Sequence, residues 1–124
     1  MSNRAIPDTL RPARPRLPAE ARQTSLPYLM SLLTHDDPLT RRRAAAALGR
    51  AEDPLALDSL IMALHDGDRL VQQSAIGALG AIGDARAIPP LRQLHPLVDR
   101  RLQAAIEEAQ RDIAAGRTEG RFPF

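Results

Sequence analysis

Three histidines, His35, His65 and His95, recur at intervals of 30 residues, a regularity that could stack imidazoles into a metal ladder. The rest of the pattern argues against it. No two histidines stand four apart on one helix, and no H-E-x-x-H is present. Serines 2, 25, 31, 59 and 74 lack the G-x-S-x-G context of a nucleophile elbow. Glu107 and Glu108 are adjacent, so on a helix their carboxylates diverge by about 100° and cannot share one site. The chain has no cysteine, which removes thiolate metal sites and thiol nucleophiles. It has no lysine either, since all 17 basic residues are arginine, so Schiff-base and phosphate-loop chemistry are closed to it. G-x-G-x-x-G is absent. The expectation is no catalytic residue, no metal and no cofactor, in a protein that is not an autonomous enzyme.

The elements that would position such residues are helices. Ala (21), Leu (18) and Arg (17) dominate the 124 residues, and only Tyr28, Phe122 and Phe124 are aromatic. These three types are strong helix formers, and β-branched residues are scarce. An all-α fold of one domain's size, cored by many small aliphatic contacts, is predicted. No apolar run reaches the ~20 residues of a membrane helix, and the N-terminus lacks a signal peptide's apolar stretch. No membrane insertion and a cytoplasmic location are expected.

A shift of 31 residues superimposes the chain on itself three times. Leu26, Leu57 and Ile88 coincide, as do Leu29, Leu60 and Leu91, and Asp37, Asp68 and Asp99. Thr40, Val71 and Leu102 follow, then Ala44, Ala75 and Ile106, and Ala47, Ala78 and Ala109. The histidine interval of 30 is out of step with this period, so the three imidazoles occupy different frames in or beside turns. Within each repeat the apolar spacing describes a short helix and then a longer one. The aspartates sit where a carboxylate caps the second helix. The predicted organisation is a Pro- and Arg-rich extended arm over 1–24, three hairpins (25–55, 56–86 and 87–117), and a tail over 118–124. Gly116 and Gly120 are expected to end the last helix. The arm carries a formal charge of +3, against −2 for residues 25–115.

In the second copy the run Asp68, Val71, Ala75, Ala78, Leu79, Gly80, Gly83, Asp84, Ala87 and Leu91 resembles the short HEAT-like repeats of the phycobilisome-lyase type. The first copy departs at Thr40 and at Ala51–Glu52. The third has Gln110 and Arg111 in place of Leu–Gly, which suits a polar closing cap with no fourth repeat beyond it. The resemblance implies an α-solenoid whose second helices line the concave side, and protein partners among pigment–protein complexes such as phycobiliproteins.

Taking positions 40, 44, 47 and 51 as the packed side of a second helix leaves 42, 46 and 49 opposite, with 50 at the edge. The candidate partner-binding residues are therefore Arg42, Ala46, Gly49, Arg50, Gln73, Gly77, Ala104 and Glu108. Arg42 and Arg50 point to a protein partner with an acidic patch. Gly77 is unusual, because glycine inside a helix costs about 1 kcal/mol relative to alanine. A partner's close approach, or crowding between helices, would each account for it. In the arms, Arg11, Arg14, Arg16, Phe122 and Phe124 are further candidate contacts. The leading expectation is a non-catalytic interaction module, an adaptor or an assembly or turnover factor. The resemblance supplies an alternative, a small subunit of a bilin lyase or isomerase. Nucleic-acid binding through the arginine arm ranks third, because no aromatic residues interleave the charges to stack bases.

Overall fold

The structure, a computed structural model, describes residues 25–120, with side chains to residue 116. The N-terminal arm with Arg11, Arg14 and Arg16, and the tail residues Phe122 and Phe124, lie outside the described residues.

Among the described residues, six α-helices form three successive hairpins: α1 (Leu26–Leu32) with α2 (Pro38–Ala51), α3 (Leu57–Ala63) with α4 (Arg69–Ile82), and α5 (Ile88–Leu94) with α6 (Arg100–Gly120). The described residues contain no strand. The first helix of each hairpin has seven residues, too few to persist alone in water, so its stability comes from packing on its longer mate. Each second helix starts at the expected aspartate. Asp37 Oδ1 accepts from the Leu39 amide at 3.2 Å, and Asp68 Oδ1 from Leu70 and Val71 at 2.8 and 3.1 Å. Asp99 Oδ1 accepts from Leu102 at 2.9 Å. Asp53 and Asp84 cap the single 3-10 turns, Pro54–Ala56 and Ala85–Ala87, that lead into the next hairpins.

The end of α2 differs from that of α4 by one residue type. Gly83 closes α4 with a left-handed φ of 75°, and Glu52, one repeat earlier, holds the same conformation with φ 53°. A side chain is disfavoured there by steric contact between Cβ and the carbonyl. Glu52→Gly is expected to raise the stability by about 0.5–1 kcal/mol in urea denaturation, the relief of strain exceeding the entropy gained by the unfolded chain.

The second helices stack in the order α2, α4, α6, and each short helix covers one flank of its mate. Ala44, Leu48, Val71, Ala75, Ile76, Leu79, Leu102 and Ile106 are all buried in this stack, and no polar or charged residue among the described ones is buried. Polar ties fasten each hairpin at its turn. Gln72 Nε2 donates to the Leu64 carbonyl at 2.8 Å, and Gln103 Nε2, one repeat later, to the His95 carbonyl at 2.9 Å. Arg41 fills the same position in the first hairpin and donates through Nη1 to the His35 and Asp36 carbonyls at 2.8 and 3.0 Å.

Two expectations need correction. Of the two glycines expected to end the last helix, Gly120 is its last residue and Gly116 lies inside it, because a helical glycine costs about 1 kcal/mol without breaking the hydrogen-bond ladder. Gly49 does not face away from the packed side: it is buried. A Cβ built on Gly49 would lie 2.9 Å from Ala78 Cα, and one on Gly80 would lie 3.2 Å from Ala109 Cα. These two glycines are the points where successive second helices touch. Arg111 holds the equivalent position on α6 and is exposed.

Candidate functional site

Helices α2 and α4 pack closely at Gly49 and open outward beside it, leaving a groove of about 400 Å³. Ala46, Gly49, Ser74, Gly77, Ala78 and Ala81 line it, with Arg50 and Glu52 at one end. Of the predicted site residues, Ala46, Gly49, Arg50 and Gly77 meet here. Nothing lies within 4 Å of the position a Gly77 Cβ would take. Crowding between helices therefore does not account for this glycine, which leaves the exposed side of the groove open at a cost in helix propensity.

Arg42 stands apart from that groove. It is half-buried in a separate hollow of about 240 Å³ at the other end of α2, beside Asp37, Leu39, Asp68 and Leu70. The eight residues from Arg42 to Arg50 separate them by about 12 Å along the helix. Gln73, Ala104 and Glu108 are exposed on α4 and α6.

The least exposed ion pair among the described residues falls where the repeat pattern gave no signal. Arg41 forms a two-pronged ion pair with Asp66 in the next hairpin, Nε–Oδ2 at 2.8 Å and Nη2–Oδ1 at 3.0 Å. Its hydrogen bond with Asp66 raises the guanidinium pKa above its usual value. Arg41 and Asp66 also border a third hollow, about 380 Å³, between α1 and α3, where Met30, Met62 and His65 lie. The two methionines, at nearly equivalent positions of successive first helices, were the sequence signal for this hollow.

A second ion pair joins Arg69 to Asp99, with Nε–Oδ2 at 2.7 Å. The Arg69 guanidinium, helped by the Leu102 amide, lowers the Asp99 pKa from 3.8 to about 2. Arg86 likewise lowers the pKa of Asp84. A carboxylate whose folded-state pKa is depressed adds stability that is complete above its unfolded value and lost as the pH falls through the folded one. The melting temperature is therefore expected to decline as the pH falls from about 4 to about 2. Asp99→Asn should flatten that decline while lowering the melting temperature at neutral pH.

The histidines occupy turns. His35 Nδ1 accepts from the Asp37 amide at 3.0 Å, His65 is exposed, and His95 Nε2 lies 2.8 Å from Glu107 Oε2. Among the described residues no group of three His, Asp or Glu side chains is placed to hold a metal. No described helix is long and apolar enough to cross a membrane.

Comparison with known proteins agrees with this architecture. The HEAT-repeat family pattern matches residues 26–110. A 55-residue segment is 47% identical to a bilin biosynthesis protein, PecE, of Nostoc sp., covering 44% of this chain and 22% of that protein. The homonymous protein of Mastigocladus laminosus shows the same identity over 55 residues, covering 20% of its length. The chain thus spans about a fifth of the curated relatives it matches. With three stacked hairpins, capping aspartates at fixed register and this pattern over most of its length, the chain belongs to the HEAT-repeat family.

Proposed function

We propose that the chain is a non-catalytic protein-binding module, an adaptor or assembly or turnover factor, that presents the exposed face of α2 and α4 to a partner. The observation that carries this reading is Gly77, which leaves one side of the groove open although no neighbour requires it. Arg50 at the end of that groove and Arg42 in the neighbouring hollow favour a partner with an acidic patch. The similarity to bilin biosynthesis proteins supports a phycobiliprotein or another pigment–protein complex in the cytoplasm as that partner. Replacing both Arg42 and Arg50 with Glu is expected to leave the melting temperature nearly unchanged. The affinity for a partner captured from native lysate should fall about tenfold or more, or ~1.4 kcal/mol, in calorimetric titration. Equal affinities would move recognition to the first helices or the arms.

The same similarity supports a second reading, a small subunit of a bilin lyase or isomerase. Incubation of the chain with free bilin and an apo-phycobiliprotein separates the two. A covalent adduct, seen as a protein-bound chromophore after denaturation, favours the second reading, and its absence favours the first.

A further inference from the structure

Equivalent positions on the second helices form rows across α2, α4 and α6. One row reads Arg50, Ala81 and Asp112, and the next reads Ala46, Gly77 and Glu108. Arg50, Glu108 and Asp112 are exposed, and none of them forms an ion pair with a described residue. They cannot pair with one another inside the molecule, since two interhelix spacings put α2 and α6 about 20 Å apart. One edge of the face is therefore basic, the opposite edge acidic, and the middle helix carries small side chains.

We propose that this face pairs two copies of the chain about a twofold axis parallel to α4, with Arg50 of each copy against Asp112 of the other. Such a rotation exchanges α2 with α6 and leaves each residue at its own height along the helices. Arg50 then meets Asp112 twice, Ala46 meets Glu108, and Gly77 meets its counterpart on the axis with no side chain between. A twofold axis lying across the helices would instead set Arg42 against Arg50, like charge on like. An acidic partner confined to α2 and α4 would use Arg50, whereas one that covered α6 as well would be repelled by Glu108 and Asp112. A face with opposite charges at its two edges matches its own rotated image, the requirement of an isologous dimer. The inference rests on the reading of this face as a docking surface and names a second copy as an occupant, which another partner must displace.

Sedimentation velocity of the full chain is expected to show a concentration-dependent dimer that weakens with added salt. Arg50→Asp alone, or Asp112→Arg alone, should raise the dissociation constant roughly tenfold or more by setting like charges together. The double variant Arg50→Asp/Asp112→Arg should restore the dimer, which a general loss of structure could not do. Circular dichroism of each variant confirms that its helices are intact. A monomer throughout the micromolar range, a dimer indifferent to the single substitutions, or a charge swap without recovery each overturns the inference. Titration against the captured partner is read separately, so a monomeric chain that still binds that partner leaves the proposed function standing.

Discussion

Ala75→Asp is expected to abolish the cooperative melting of the whole chain. Ala75 is fully buried on α4, the middle helix of the stack. An ionised carboxylate there would lose its water and find no partner, and no buried polar residue is available among the described ones. The loss is about 3–5 kcal/mol, a large part of the ~5–15 kcal/mol that holds an ordinary domain together. The position matters as much as the penalty. In a solenoid each repeat is stabilised mainly by its neighbours, so disrupting the central hairpin removes support from both ends. Thermal circular dichroism would show a broad, early loss of helix. A melting curve equal to that of the parent chain would mean that Ala75 does not face the stack.

The second large effect separates two glycines that look alike in the sequence. Gly49→Val places a branched side chain where even a Cβ would be 2.9 Å from Ala78 Cα, and the obstacle is backbone. Helices α2 and α4 must then move apart, at an expected loss of about 2–3 kcal/mol. Gly77→Ala meets nothing within 4 Å and removes a helical glycine, for an expected gain of up to about 1 kcal/mol. Urea denaturation of the two variants should give shifts of opposite sign. If Gly77→Ala were destabilising, the open groove would be wrong. If it stabilises the fold and weakens partner binding, the glycine serves recognition.

The contrast between these glycines also shows how far the sequence could be read. The hairpins were legible because they recur: Leu29, Leu60 and Leu91 are buried for the same reason in three copies, and Asp37, Asp68 and Asp99 cap for the same reason. Positions 40, 44, 47 and 51 misplace Gly49 because they follow the edge of the packed side: Ala44 is buried, Thr40 and Ala47 are half-buried, and Ala51 is exposed, against expectation. Helix α2 touches both α1 and α4, so its buried arc also includes Ala45, Leu48 and Gly49, and only one side is left to solvent. The Arg41–Asp66 pair was hidden for another reason. Its partners stand 25 residues apart, off the period of 31, and depend on how two turns meet in space. Periodicity identifies what every repeat does and is silent about what one repeat does alone. The groove lay between these cases, its small residues visible in order and its openness visible only in three dimensions.

Arg111 has a consequence for the size of the assembly. It stands on α6 where Gly49 and Gly80 stand on α2 and α4, while α2 at the other end keeps Ala47, the counterpart of the Ala78 and Ala109 that seat on those glycines. One molecule's α2 could otherwise settle on the next molecule's α6 as α4 settles on α2. A head-to-tail contact of that kind does not close on itself, and repeated without limit it builds a fibre. The arginine stem occupies the space that such a contact needs. An exposed arginine at that register therefore disfavours the joint that a glycine would permit.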